Sequence, residues 1–207
     1  MLIRNVFEKY KNILPRRVLH IGACLCEERD LYLQHGILNS DVVWIEANPE
    51  LVEQARASYP DATILQGLIS DRTGKQAPFH ITNNLHSSSM LELHEHLREH
   101  PRVAKTRTIA LETTTVPDLL ERHSLPVTGY DFVNLDIQGA ELLALRGMES
   151  MLSDVRAIYS EVNEKELYAG CAQLDDVLDF LGERGFMCVE VAMTRHGWGD
   201  ALFIRDQ

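Results

Sequence analysis

Long hydrophobic runs are absent from this sequence of 207 residues. A helix that crosses a bilayer needs about 20 consecutive apolar residues, and no stretch of the chain approaches that length. Residues 1–17 mix charged and apolar side chains and lack the apolar core of a signal peptide. We therefore expect a protein without a membrane span, located in the cytoplasm.

Basic residues are also scarce. Lys and Arg number 20 against 31 Asp and Glu, which gives a formal net charge of −11 at pH 7. Binding to a nucleic-acid backbone requires basic patches, so this charge argues against a nucleic-acid partner. It suits a neutral or cationic ligand instead.

Cysteines are few and irregularly spaced. Cys24, Cys26, Cys171 and Cys188 match neither a disulfide framework nor a zinc-knuckle spacing. We interpret all four as reduced thiols, as is usual in a cytosolic protein.

Apolar residues, by contrast, make up 45% of the chain, enough for a sizeable core. The length is typical of one domain, and we expect an N-terminal helix in residues 1–15 followed by an α/β core in residues 16–207. Short apolar runs alternate with helical patterns, which predicts a doubly wound sheet. The runs lie at residues 17–21, 42–45, 63–65 (continuing to about 69), 132–135 and 155–160.

Further strands are expected at the margins of this sheet. Residues 76–82 contain Pro78, which predicts an edge strand. Residues 186–191 and 201–204 are separated only by a loop, which predicts an antiparallel hairpin at one edge. Residues 106–113 form another predicted strand. Helices are predicted at residues 2–13, 27–35, 49–59 (capped by Asn48), 90–100, 116–123 and 174–183, and after residue 139.

Two acids follow predicted strands. Asp136 comes directly after residues 132–135, and Glu46 follows the second strand, 24 residues after Gly22. Ligands of open α/β sheets bind outside the carboxyl ends of the strands, and an acid after the second strand can accept hydrogen bonds from a ribose diol. Alternatively, Asp136 caps a helix and Glu46 is a solvated loop acid.

The turn after the first strand is poor in glycine. It reads His20-Ile21-Gly22-Ala23-Cys24, with Cys26 beyond it. A dinucleotide site needs G-x-G-x-x-G, so that the backbone can approach a pyrophosphate. S-adenosylmethionine has no phosphate and carries a sulfonium cation that suits nearby acids. The turn therefore favours S-adenosylmethionine over NAD.

Six segments in this order carry a resemblance to a known family. They are HIGA at residues 20–23, WIEANP at 44–49, GLISD at 67–71, SSS at 87–89, LDIQGAE at 135–141 and WGDA at 198–201. Together they resemble the FkbM-type S-adenosylmethionine-dependent methyltransferases. Two positions depart from that pattern, because many members have Asp at His20 and a second Gly at Cys26.

The resemblance implies a class I methyltransferase (Rossmann-like) fold of about seven strands and methylation of hydroxyl groups on sugars or natural products. It also implies a set of site residues. The methionine tail would lie along His20, Gly22, Ala23 and Cys24, and the ribose at Glu46, Ala47 and Asn48. The adenine would lie among Leu68, Ser70 and Asp71. The methyl-transfer centre would be at Asp136.

Methyl transfer to oxygen also requires the acceptor hydroxyl to lose its proton. Asp136 is the first candidate for the base, and His86 in the polar loop of residues 83–89 is the second unless it is merely exposed to solvent. Other polar and aromatic residues are candidates for acceptor contacts, with a structural role as the alternative for each. These are Ser87, Ser88, Ser89, Glu161 and Trp198.

Three histidines, His94, His96 and His100, raise the possibility of a metal site. His96 and His100 are four residues apart and would share a helix face. A zinc site needs a third ligand and supporting hydrogen bonds, which the sequence does not show. We interpret these residues as a solvated helix face and predict no metal.

The favoured function is thus an S-adenosylmethionine-dependent O-methyltransferase acting on a small-molecule or glycan acceptor. A catalytically silent domain that binds S-adenosylmethionine or a glycan is the alternative, since His20 and Cys26 depart from the pattern. A nicotinamide-dependent oxidoreductase is a third possibility that the glycine-poor turn disfavours.

Overall fold

The structure is a computed structural model and describes residues 3–205. Its strands are β1 Val18–Ile21, β2 Val42–Glu46, β3 Thr63–Gln66, β4 Leu68–Ile69, β5 Gln76–Thr82, β6 Lys105–Thr114, β7 Phe132–Leu135, β8 Ala157–Asn163, β9 Phe186–Met193 and β10 Trp198–Arg205. Its α-helices are α1 Ile3–Lys9, α2 Arg29–Gln34, α3 Pro49–Ser58, α4 His96–Glu99, α5 Val116–Arg122, α6 Glu141–Gly147 and α7 Leu174–Gly182. Short 3₁₀ turns occur at Lys11–Ile13, Asn39–Asp41, Leu85–Ser87 and Glu149–Met151.

The main sheet has seven strands in the order β3-β2-β1-β7-β8-β10-β9. Neighbours from β3 to β8 pair in parallel, and β10 pairs antiparallel with both β8 and β9. Strands β1, β2, β7 and β8 are buried along their whole length, as expected when helices cover both faces of a parallel sheet. The predicted doubly wound sheet and its C-terminal hairpin are confirmed.

Strand register explains why polar side chains meet at one edge of this sheet. Ile21 in β1 pairs with Ile45 in β2 on one side and with Leu135 in β7 on the other. The strand order reverses between β1 and β7, where open sheets form a ligand crevice. The residues that follow these three positions are Gly22, Glu46 and Asp136, so they lie side by side at that crevice.

A second sheet, β4-β6-β5, was not expected. The sequence predicted one strand continuing to about residue 69, but the chain breaks at Gly67: β3 stays in the main sheet and β4 pairs with β6. A Cβ on Gly67 would lie 2.7 Å from a methyl group of Leu119, which leaves no room for a side chain. The predicted edge position of β5 is confirmed, since β5 is the outer strand next to β6.

The prediction of one helix over residues 90–100 was largely wrong. Only His96–Glu99 is helical. The preceding segment is bound to a distant loop, because Leu93 forms a β-bridge with Tyr168 and the His94 N–H donates to the Leu167 carbonyl. Those tertiary hydrogen bonds replace the ones that a helix would have made.

Smaller differences concern element ends. The first helix ends at Lys9 and a 3₁₀ turn follows, and residue 2 lies outside the described residues. Helix α2 begins at Arg29 rather than at residue 27. Strand β8 continues past Glu161 to Asn163, because β10 pairs with it over that length. Glu161 therefore lies within a strand and neither ends one nor starts a helix.

The helices cover the sheet in two layers. Helices α1, α2 and α3 pack on one face around Phe7, Tyr32 and Trp44, and α5, α6 and α7 pack on the other around Leu120, Leu145 and Leu181. Asn48 caps α3 as predicted, accepting a hydrogen bond from Glu50 N–H, with Pro49 at the first helical position. Within residues 3–205, no helix has the length and hydrophobicity that a bilayer crossing requires.

Candidate active site

Gly22 brings the ends of β1 and β7 together. Its φ is +90°, and a Cβ at this position would lie 1.7 Å from the backbone oxygen of Asp136. The Asp136 N–H in turn donates to the Ile21 carbonyl at 2.9 Å. Glycine is required here by the close approach of two chain segments, a reason that the sequence did not reveal.

The turn beyond Gly22 holds two cysteines in the left-handed region. Cys24 has φ +45° and Cys26 has φ +59°, although neither is glycine. Both thiols are buried. Burial, together with neighbouring acids such as Glu27 and Glu28, raises the pKa of each thiol to about 12. The thiols therefore stay protonated and unreactive at neutral pH.

Glu46 is buried and fixed by backbone donors. Its two carboxylate oxygens accept one bond each, from Cys24 N–H at 2.9 Å and from Asn48 N–H at 2.7 Å. Burial raises the pKa of Glu46, while these N–H groups oppose that shift. A carboxylate has about four acceptor sites, so each oxygen keeps one for a ligand. Asn48 itself holds Glu46 and caps α3.

A first recess, with about 610 Å³ of empty space, opens over Glu46. Its walls combine polar groups with apolar side chains, which include Ile45, Ile69 and Phe79. The predicted site residues that line it are Gly22, Cys24, Glu46, Ala47, Leu68, His86, Ser88 and Asp136.

Ser70 and Asp71, expected around an adenine, are not among the residues lining this recess. They directly follow β4 and pack against the end of α6, where a Cβ on Gly147 would come 2.2 Å from the Ser70 carbonyl oxygen. Their expected contact with an adenine stays a prediction.

A second, larger recess adjoins the first and has about 1660 Å³ of empty space. Five residues border both recesses: Gly22, Cys24, His86, Asp136 and Gln138. The predicted residues His20, Ala23, Ser87, Glu161 and Trp198 line the second recess. Asp136 thus stands where the two recesses meet.

Gln138 joins two acids, Asp136 after β7 and Glu161 within β8. Its Nε2 donates to Asp136 Oδ1 at 2.7 Å and to Glu161 Oε2 at 2.8 Å, while its Oε1 accepts from the Tyr168 hydroxyl at 2.6 Å. Gln138 has φ +58°, a strained backbone conformation. Ser89, predicted to contact the acceptor, instead donates its hydroxyl to the Gln138 carbonyl at 2.7 Å.

The carboxyl groups around this bridge hold their protons more tightly than usual. Asp136 is accessible to solvent within the cavity, yet the surrounding protein raises its pKa, and the hydrogen bond from Gln138 counteracts that shift. Burial and the charge of Asp136 raise the pKa of Glu161 well above its usual range. Burial raises the pKa of Glu141 to about 7. Glu141 shapes the turn, since its Oε1 accepts from Ile137 and Gly139 N–H.

His20 supplies a neutral ring to the second recess. It is buried, which lowers its pKa to about 3. Its Nδ1 lies 3.0 Å from the Tyr32 hydroxyl and 3.3 Å from Asn134 Nδ2. Because the amide nitrogen can only donate, this network assigns Nδ1 as the acceptor and places the proton on Nε2. That nitrogen faces Glu28 Oε2 at 3.6 Å.

His86 is exposed and borders both recesses. Its Nε2 lies 3.6 Å from Glu27 Oε1. Within residues 3–205, one group of three His, Cys, Asp or Glu side chains has its ligand atoms within 4.8 Å of one another, namely Cys24, Glu27 and His86.

The other loop serines have local partners. Ser87 is buried and its Oγ accepts from Asn84 Nδ2 at 3.0 Å, while Ser88 Oγ accepts from Thr82 N–H at 3.2 Å. Both serines nonetheless line a recess.

The interpretation of the three histidines as a solvated face was wrong for His96. His94 is exposed, but His96 is only 5% exposed and lines the second recess together with His100. The reason is tertiary: the bridge between Leu93 and Tyr168 turns this segment inward, so that the His96 ring packs 5.2 Å from the Tyr168 ring.

Sequence reasoning missed several residues of this site. Gln138 could have been found, because it stands between Asp136 and Gly139 in a recognised motif. Asp200 could also have been found, because it lies in the WGDA segment, whereas Tyr168, Glu28 and His196 carry no local signal. The fold brings each of them to the second recess or to the histidines beside it.

Comparison with known proteins agrees with this architecture. A family model described as the methyltransferase FkbM domain matches residues 20–188. The 2-O-methyltransferase NoeI of Sinorhizobium fredii is 32% identical over 120 residues, which cover 55% of this chain and 48% of NoeI. The chain thus matches about half the length of that relative.

Solved structures share the fold at 13% identity. The magnesium protoporphyrin IX methyltransferase ChlM of Synechocystis, solved with bound SAM, gives a TM-score of 0.54 over 99% of this chain and 76% of its own. An O-methyltransferase from Bacillus cereus in complex with SAH gives a TM-score of 0.55 over 98% of this chain and 80% of its own. An FkbM methyltransferase from Methylobacillus flagellatus gives a TM-score of 0.53 over 92% of this chain and 44% of its own. The fold is the class I methyltransferase fold.

Proposed function

This chain belongs to the FkbM methyltransferase family, and from that membership we propose that it transfers the methyl group of S-adenosylmethionine to a hydroxyl group of a sugar, glycan or natural-product small molecule. The observation that carries the proposal is the position of Asp136, where a recess floored by Glu46 meets a larger one.

The first recess suits the adenosine half of the cofactor. Glu46 has one free acceptor site on each oxygen for a ribose diol, and the apolar side chains of the recess suit an adenine ring. The sulfonium would then lie near the acids at the junction of the recesses, where their charge favours a cation. The names of NoeI and of the solved methyltransferases support both the cofactor and an oxygen acceptor.

The methionine tail would extend along His20. A neutral imidazole cannot balance the charge of an ammonium group, but Glu28 lies 3.6 Å from its Nε2 and lines the same recess. We propose that Glu28 supplies the carboxylate that many family members place at the position of His20.

Methyl transfer in this site is an in-line displacement. The acceptor oxygen forms a bond to the methyl carbon, the carbon–sulfur bond breaks and its electron pair goes to sulfur, leaving S-adenosylhomocysteine. The hydroxyl proton passes to the Asp136 carboxylate. A raised pKa makes that carboxylate a better base near neutral pH, and a positioned base typically contributes about 10²–10⁴-fold. His86, which is exposed and borders both recesses, is the alternative base.

The proposal is tested with purified protein and radiolabelled S-adenosylmethionine against a panel of hydroxylated acceptors. Asp136→Asn should keep the fold but lose about 10²-fold or more in single-turnover rate. Asp175→Asn, at an exposed position in α7, is the matched control. Unchanged single-turnover transfer in Asp136→Asn would contradict the assignment of the base.

Cofactor binding is tested separately by calorimetry. Glu46→Gln puts an amide N–H₂ opposite a backbone N–H and should weaken S-adenosylhomocysteine binding by about tenfold or more. Tight cofactor binding without transfer to any acceptor would favour the silent binding domain. Binding of NADH in preference to S-adenosylhomocysteine would favour the oxidoreductase.

A further inference from the structure

Four aromatic rings form a row that leads away from the candidate catalytic centre. The Tyr168 ring lies 5.2 Å from His96, His96 lies 4.8 Å from His100, and His100 lies 4.8 Å from His196, between ring centroids. We call these three histidines the histidine ladder. The Tyr168 hydroxyl connects its inner end to Gln138 and hence to Asp136.

The ladder is assembled from two distant segments. His96 and His100 are four residues apart at α4 and so point to the same side. His196 comes from the turn between β9 and β10, where Glu99 holds its Nδ1 at 3.1 Å and Lys165 holds Glu99 at 2.8 Å. His96 and His100 line the second recess, together with Trp198. His196 is not among the residues that line the recess, and its ring contacts that of His100.

His96 has an unsatisfied polar atom. It is 5% exposed, and its Nδ1 is buried without a hydrogen-bond partner among the residues that the structure describes. Leaving such an atom unpaired costs about 1–3 kcal/mol. That nitrogen is itself closed to solvent, so the part of His96 that a ligand in the recess can contact is the rest of its ring.

Charge decides which ligand fits. Burial, followed by the neighbouring imidazole, lowers the pKa of His96 to about 4 and also lowers that of His100, so both rings are neutral at neutral pH. The rest of the recess carries Glu28, Asp136, Glu161 and Asp200, and no Lys or Arg is among its described lining residues. An anionic group would be repelled there. Neutral aromatic faces with nitrogen donors and acceptors suit an uncharged ring that bears hydroxyl groups.

We propose that the histidine ladder is the subsite for the part of the acceptor beyond the reacting hydroxyl, and that it binds an uncharged, hydroxylated ring such as a neutral sugar unit. The proposal rests on the proposed function, since it assigns the part of the second recess at His96 and His100 to the acceptor. Because the row contains several rings, an acceptor with two or three ring units should bind more tightly than one with a single unit.

The test follows the imidazole C–H signals of the full chain by NMR during titration with methyl glucoside, cellobiose and cellotriose. Glucosamine and glucuronic acid are the charged counterparts of the same ring. We expect the neutral sugars to shift the His96 and His100 signals but not that of exposed His94, with tighter binding as the chain lengthens. Glucuronic acid should bind most weakly.

Variants complete the test. His100→Ala should weaken cellotriose binding by about fivefold to tenfold, as expected for one lost hydrogen bond and ring contact, and should leave the S-adenosylhomocysteine affinity unchanged. His94→Ala is the matched control. His96→Ala should show the same loss, and His100→Ala, at a less buried position, answers the question if the His96 variant fails to fold.

Three results would overturn the proposal: no shift with any neutral sugar, a stronger response to glucuronic acid, or saturable zinc chloride binding at the ladder in the absence of sugar binding. Its failure is distinguishable from that of the proposed function. If S-adenosylhomocysteine binds and the sugars do not, only the ladder assignment fails. If the sugars bind and S-adenosylhomocysteine does not, the methyltransferase assignment fails.

Discussion

Gln138 should set the pH range in which this site works. One side-chain amide donates to both Asp136 and Glu161, at 2.7 and 2.8 Å. A hydrogen bond to an ionised carboxylate stabilises the charged form and lowers its pKa. Burial acts in the opposite direction on both acids. Removing the amide therefore removes the largest effect that opposes burial at each acid.

The perturbation that tests this is Gln138→Met, which keeps the length of the side chain and deletes its polar end. Each hydrogen bond to a charged group contributes about 1.5–3 kcal/mol, and about 1.4 kcal/mol corresponds to one pKa unit. The acidic limb of the pH profile for methyl transfer should therefore move upward by about one unit or more. At pH 7 the variant should be slower because less of the base is ionised.

The same change should affect stability in a pH-dependent way. Both carboxyls have folded-state pKa values above their usual range, and the variant raises them further. Its destabilisation should therefore be largest at high pH, where both groups are ionised, and should shrink as the pH falls through the folded pKa values.

The assay is single-turnover methyl transfer between pH 5.5 and 9, with urea unfolding at the same pH values. Gln76→Met, at an exposed position in β5, is the control for the substitution itself. Gln138→Gly deletes the same amide but relieves the strain at φ +58°, so it should share the pH shift and be the more stable of the two variants. A pH profile that stays in place in Gln138→Met would refute this reasoning.

Three further predictions concern the frame of the site. Gly22→Ala should lower the unfolding free energy, measured in urea, by at least about 3 kcal/mol, because its Cβ would meet the Asp136 backbone at 1.7 Å. Gly74→Ala is the control: its φ is +87° and nothing lies within 4 Å of its Cβ, so it should lower the unfolding free energy by only about 1–2 kcal/mol. Cys26→Gly should be about 1 kcal/mol more stable than Cys26→Ala, since both lose the sulfur and only alanine is strained at φ +59°; equal stabilities would contradict this. Burial raises the pKa of Glu141 from 4.5 to about 7 in the folded state. Its contribution to the unfolding free energy should therefore fall by up to about 3 kcal/mol as the pH rises from 4.5 to 7, and Glu141→Gln should flatten that dependence.

Much of the fold follows from local chemistry that the sequence displays. Buried strands such as Val42–Glu46 are continuous apolar runs, and Asn48 with Pro49 marks a helix start by its own side chains. Strand-end acids are also visible, because the apolar run stops at a carboxylate. These signals depend on neighbouring residues only, which is why the sheet, its hairpin and the positions of Glu46 and Asp136 could be predicted.

Other parts of the site were decided by contacts between residues distant in sequence. The break at Gly67 depends on Leu119, the inward turn of His96 depends on Leu93 pairing with Tyr168, and the histidine ladder needs His196 from the last hairpin. Such contacts have no local signal, because backbone groups bonded to a remote loop override helical propensity. The sequence by itself determined a doubly wound sheet with acids at its crevice. Only the tertiary structure decided that Gln138 joins Asp136 to Glu161 and that a row of histidines extends from Tyr168, because both arrangements exist only where distant segments pack together.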